Sequence, residues 1–149
     1  MDDMGVLART RLVACGVAVG IVGAGLGIRG VAGGDVAKYG GVALYTVLVY
    51  VLVVLVAPQV RPGVAGFVAA GFSCAVELLQ LTGVTAGPAE RSAVVRLALG
   101  STFNGPDLLW YAVGATAAVL VHTWVSGPTA ARVPPGAPRG AAGGRWHGP

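Results

Sequence analysis

Two side chains that hydrocarbon rejects, Glu77 and Gln80, lie inside the long apolar stretch Gly63–Val84. An ionisable group in a membrane-length segment normally faces a protein interior or a water-filled cavity, which makes Glu77 the first functional candidate. Gly66, Ala70, Ser73, Glu77 and Gln80 step by four and three, so small and polar side chains share one helical face. Phe67, Val68, Leu78 and Leu79 occupy the other faces and suit lipid. The polar stripe should therefore turn inward. Tyr45, Asp107 and Tyr111 lie in or beside neighbouring apolar blocks, and Arg29, Lys38, Arg91 and Arg96 fall between blocks. A carboxylate beside an amide and tyrosines can hold a proton or a hydrogen-bonded ligand, and arginines can hold an anion. Neither His122 nor His147 has partners for a metal site, and no Ser-His-Asp or Cys-His arrangement is evident. We expect no metal and no cofactor.

The elements that must position these groups follow from composition. Of 149 residues, 55% are hydrophobic and 11% charged, and the mean hydropathy is +0.77. Soluble domains carry about 25% charged residues, so an ordinary soluble domain is excluded. Four apolar blocks, about 12–28, 41–57, 63–84 and 108–125, approach or exceed the ~20 helical residues that cross a bilayer. Backbone amides cannot go unpaired in lipid, so each block should be a helix, and continuous apolar runs do not suit a β-barrel. The expected fold is all-α: an integral membrane bundle of four transmembrane helices over residues 1–126, with a disordered Pro/Gly/Ala/Arg tail over 127–149.

The first block has a basic start and an apolar core, like a secretory signal, but its apolar run is longer than usual and we read it as a retained span. Leu12-Val13-Ala14-Cys15 looks like a lipoprotein cleavage box but falls at the wrong end of the run. Gly16, Gly20, Gly23 and Gly27 form a flat face that we expect to pack within the bundle rather than in a homodimer. The GxGxxG match Gly25–Gly30 ends a span, lacks a βαβ context and is fortuitous. Cys15 and Cys74 read as buried thiols without a disulfide.

The net charge of +4 comes from residues scattered at helix ends, which argues against nucleic acid. Arg9, Arg11, Arg61, Arg132, Arg139 and Arg145 share one side, and Arg29, Lys38, Arg91 and Arg96 the other. The excess places both termini in the cytoplasm of a multi-pass plasma-membrane protein. Glu77 lies seven residues before Val84, about 10 Å below the outer end of its span. Tyr45 reaches a similar depth, and Tyr111 lies one turn beyond Asp107 on the same face. We therefore expect an outward-opening pocket of Tyr45, Glu77, Gln80, Asp107 and Tyr111, rimmed by arginines. Arg91–Leu99 reads as a short interfacial helix. Two readings of Glu77 stay open: a polar lock that fixes helix packing, or a ligand- or proton-handling group.

Lys38-Tyr39-Gly40-Gly41, Val76-Glu77-Leu78-Leu79-Gln80-Leu81 and the run from Arg96 through Phe103, Asp107 and Tyr111 to Gly114 resemble the bacterial membrane family called domain of unknown function 2809. The resemblance extends from about Arg29 to about Val121. The family usually reads Gly-Asp-Ala-Leu-Trp where this chain has Gly41-Val42-Ala43-Leu44-Tyr45, so a second acid is missing unless Asp35 substitutes. The Glu-x-x-Gln pair followed by an aspartate at a helix start is also similar to VanZ-like membrane proteins. With no nucleophile evident, the residues favour a non-enzymatic cell-envelope protein that binds or organises an anionic lipid headgroup. The alternative is a membrane enzyme or carrier using Glu77 on a lipid-linked or small anionic substrate.

Overall fold

A computed structural model describes residues 3–84, 86–95 and 103–127. Its order is α1 (Asp3–Val31), α2 (Gly34–Val56), α3 (Pro62–Gln80), a short α4 (Ala86–Arg91) and α5 (Asp107–Ser126). α1, α2, α3 and α5 are each long and apolar enough to cross a membrane. The chain is thus all-α with four membrane-span helices, as the apolar blocks require. Arg96, and the expected tail beyond Gly127, lie outside the described residues.

The helix boundaries differ from the apolar blocks for identifiable reasons. α1 has 29 residues, about 43 Å of helix, and takes in most of the polar leader, because polar residues continue a helix once it leaves hydrocarbon. Arg29–Lys38 is accordingly not a loop. The break is confined to Ala32 and Gly33, and Gly34 opens α2 at φ 59°. α2 ends where the Ala57 N–H reaches the Val53 carbonyl at 2.8 Å. Arg61 is extended and Pro62 occupies the first turn of α3, where its missing N–H costs nothing. α3 stops at Gln80 rather than Val84, because Gly83 turns at φ 72° after three tightened i→i−3 bonds.

α2, α3 and α5 pack on one another, and α1 makes its substantial packing against α2 alone. The apolar core contains Tyr50, Val54, Ala65, Ala69 and Ala118. Close helix approach depends on Gly114: a Cβ there would lie 2.5 Å from the Ala43 carbonyl oxygen. The glycine face of α1 behaves differently from expectation. Ala14 is buried and Ala18, Ile21 and Ile28 are half-buried, whereas no atom comes within 4 Å of a Cβ built on Gly16, Gly20, Gly23 or Gly27. Those glycines lie two residues, or about 200°, around the helix from that seam. They face away from the bundle. Cys15 is exposed on α1, Cys74 is half-buried on α3, and both are free thiols.

Candidate functional site

The stripe on α3 does turn inward. Gly66, Ser73 and Glu77 are buried, and Ala70 and Gln80 are half-buried. At 1% exposure Glu77 is sealed within the bundle. One of its carboxylate oxygens, Oε1, accepts the backbone N–H of Asn104 at 2.5 Å. The other, Oε2, accepts the Tyr111 hydroxyl at 2.8 Å and, more weakly, the Gln80 amide at 3.5 Å. Asn104 also donates its side-chain amide to Asp107 Oδ1, and Asp107 is itself buried. One asparagine therefore links two acids, by its backbone to Glu77 and by its side chain to Asp107.

Local sequence explains this arrangement. Asn104-Gly105-Pro106-Asp107 forms a turn closed by the Asp107 N–H on the Asn104 carbonyl at 2.9 Å. Gly and Pro suit such a turn, and Asp107 provides negative charge at the positive end of α5. Tyr111 follows one turn later on the same face and reaches across to α3. The ring of Tyr45, from α2, lies 6.3 Å from that of Tyr111 at an angle of 55°. It packs beside the cluster and makes no described hydrogen bond to it.

Glu77, Gln80, Asp107 and Tyr111 thus come together, with Tyr45 adjacent. The described residues close over the carboxylate and leave no open mouth at it. Glu77 sits three residues before the end of α3, about 4.5 Å of helix, because α3 ends at Gln80 and not at Val84. An open apolar groove of about 720 Å³ occurs at the other end of α5, lined by Leu120, Val121, Thr123 and Trp124.

The cations do not join the cluster. Arg29, Lys38 and Arg91 are exposed, and among the described residues none forms an ion pair. Arg29 leans over α2, with Nε 3.8 Å from where a Cβ on Gly41 would lie. Lys38 Nζ is 5.4 Å from the Tyr39 ring, which stacks on Trp110 at 5.5 Å and 17°. Arg91 ends α4. Asp35 is exposed in the first turn of α2 and does not supply the missing second acid. Asp107 is the second acid here, brought in through Asn104.

Asn104 is the residue that sequence reasoning missed as a participant. Its signal was an Asn three residues before Asp across Gly-Pro, a turn pattern. Two further buried contacts were also missed. Thr46 donates to Ser73 at 3.2 Å, both at 0% exposure, and the Tyr50 hydroxyl lies 2.7 Å from His122 Nδ1.

Chemically, Glu77 is an acceptor surrounded by donors. An ionised carboxylate accepts only, and the three donors use both of its oxygens. The arrangement can hold α3, the 103–106 turn and α5 in one register.

A family model described as "Protein of unknown function (DUF2809)" matches residues 32–115. None of the curated proteins and none of the solved structures matches the chain. The matched stretch covers more than half of the sequence and takes in Lys38, Tyr45, Glu77, Gln80, Asn104, Asp107 and Tyr111, leaving out α1 and the second half of α5. The chain belongs to the DUF2809 family.

Proposed function

We propose that this is a non-enzymatic protein of the bacterial cell envelope that binds or organises anionic lipid headgroups through Arg29, Lys38, Arg91 and Arg96. In this reading Glu77 is a polar lock that holds α3 to α5. The observation that carries it is a division of labour. Both carboxylate oxygens accept hydrogen bonds inside the protein, whereas the described cations are exposed and, among the described residues, form no ion pair. A basic residue near a charged membrane surface gains about 1 kcal/mol from anionic lipid. The Tyr39–Trp110 stack supports the placement, because such aromatics favour the headgroup level. With both termini in the cytoplasm, this end of the bundle faces outward. The Glu-x-x-Gln pair followed by Asp107, which resembles VanZ-like membrane proteins, would fit that setting without supplying a mechanism.

The test is the thermal midpoint of detergent-solubilised protein titrated with phosphatidylglycerol or with phosphatidylcholine. Phosphatidylglycerol should raise the midpoint of the wild type and of Glu77→Gln, but not of a variant with Arg29, Lys38, Arg91 and Arg96 all changed to Ala. Equal stabilisation by phosphatidylcholine, or a full response in the quadruple variant, would overturn the reading. Loss of the response in Glu77→Gln alone would instead favour the carrier or enzyme alternative, in which Glu77 meets the ligand.

A further inference from the structure

The end of the bundle remote from Glu77 has a buried polar cluster of its own. Tyr50 on α2 is 3% exposed, and its ring belongs to the apolar core. Its hydroxyl lies 2.7 Å from His122 Nδ1 on α5 and 3.5 Å from the Pro62 carbonyl at the start of α3. The Tyr50 and His122 rings meet edge-on, 5.8 Å apart at 86°. A single phenol thus touches both of the other core helices.

That phenol has one hydrogen to donate and two acceptors within reach. A neutral imidazole with its hydrogen on Nε2 presents Nδ1 as an acceptor, and the 2.7 Å contact takes the phenol hydrogen. A protonated imidazole has only donors. Its Nδ1–H must then donate to the Tyr50 oxygen, and the phenol hydrogen turns to the Pro62 carbonyl, which has a second lone pair beyond its helical bond. One proton is taken up from solvent at Nδ1, and Tyr50 keeps its own. We propose that Tyr50, His122 and Pro62 form a pH-operated latch, in which protonation of His122 swings the Tyr50 hydroxyl from α5 to the first turn of α3.

The surroundings suit such a device. Imidazole is the side chain whose ordinary titration falls between about pH 5 and 8, and His122 is half-buried four residues before the end of α5. Among the described residues, the titratable group facing it from α2 is Tyr50. From α3 the facing group is the Pro62 carbonyl, preceded by exposed Arg61. On α5 the adjacent turns carry Ala118, Val119, Val125 and Ser126, none of them charged. Acidification should draw the first turn of α3 towards α2, next to the Ala57–Arg61 turn. With the termini in the cytoplasm, the latch responds to cytoplasmic pH.

The experiment uses full-length protein in nanodiscs, with His147→Gln leaving His122 as the single histidine. Nitrogen-15 imidazole and carbon-13 tyrosine spectra are recorded across pH 5–8. At high pH His122 should carry its hydrogen on Nε2. On acidification it should become imidazolium, and one of the four tyrosine signals should move with the same midpoint. Tyr50→Phe should remove that signal. The latch is overturned if the neutral imidazole carries its hydrogen on Nδ1, if His122 does not titrate in this range, or if no tyrosine signal follows it. These three overturning readouts are made on the His147→Gln protein, whose core is unchanged.

Discussion

Replacing Glu77 with Gln tests the polar lock most directly. A Gln oxygen at the Oε1 position still accepts the Asn104 N–H, but an NH2 group then faces the Tyr111 hydroxyl and the Gln80 amide in place of Oε2. The Tyr111 hydroxyl can turn and accept, whereas the Gln80 Nε2 donor is opposed by another donor. The variant loses hydrogen bonds to a charged acceptor, worth about 1.5–3 kcal/mol each, and is spared the cost of burying that charge. We expect a net destabilisation of about 1–3 kcal/mol. At about 2–4 °C per kcal/mol for a chain of this size, the midpoint should fall by about 2–12 °C in detergent. Glu77→Ala leaves the Asn104 N–H and Tyr111 hydroxyl without an acceptor in a closed site and should cost more, about 3–5 kcal/mol. Tyr111→Phe removes one donor and should cost about 1 kcal/mol. Since Glu77 and Tyr111 share a bond, the Glu77→Gln/Tyr111→Phe double variant should be less destabilised than the two singles added together. The assay is thermal unfolding of the wild type and the four variants at one detergent concentration. A Glu77→Gln midpoint at or above wild type would refute the lock and mark the carboxylate as kept at a stability cost for function.

Two further outcomes follow from packing. Gly114→Ala sets a Cβ 2.5 Å from the Ala43 carbonyl oxygen, a backbone atom that cannot step aside, so folded yield should collapse. Gly20→Ala meets nothing within 4 Å and, by helix propensity, should match wild type or gain up to about 1 kcal/mol in thermal unfolding. Asn104→Ala keeps the backbone N–H to Glu77 but removes the amide from Asp107. It should lower the midpoint by a few degrees, less than Glu77→Gln, and an equal or larger fall would place the main tie at Asp107 instead.

Much of the architecture was legible because lipid permits few solutions. Four apolar blocks required four helices, and α5 begins and ends within one residue of its expected bounds. Errors arose where hydrophobicity is not what stops a helix. Arg29, Asp35 and Lys38 looked like a loop because they are charged, yet helices continue past the hydrocarbon edge until Gly33 and Gly34 intervene. Leu81–Val84 looked like more of the third span, yet the backbone turns at Gly83. The inward stripe on α3 was readable from its period. Its partner Asn104 was not, because its tie to Glu77 is a backbone N–H, a donor every non-proline residue possesses. Tyr50 and His122 are 72 positions apart, and only the parallel placement of α2 and α5, seen also in the Tyr39–Trp110 and Tyr45–Tyr111 contacts, joins them. The glycines of α1 illustrate the same limit: periodicity locates a face and says nothing of what it meets.

The closed hydrogen bonding of Glu77 changes how much its presence must explain. A carboxylate at the bilayer centre is expensive enough that function is the default explanation. Glu77 lies near the end of α3, where its three donors come from Gln80, Asn104 and Tyr111. Helices in lipid gain little from burying apolar surface against one another and rely on close packing and hydrogen bonds for their register. The core helices have such ties at both ends and between: Glu77 with Tyr111 and Asn104, Thr46 with Ser73, and Tyr50 with His122. α1 has no described side-chain hydrogen bond to another helix; its Thr10 bonds within its own turn. These ties account for the carboxylate's hydrogen bonds within the protein, whereas Arg29, Lys38 and Arg91 are exposed and form no ion pair among the described residues.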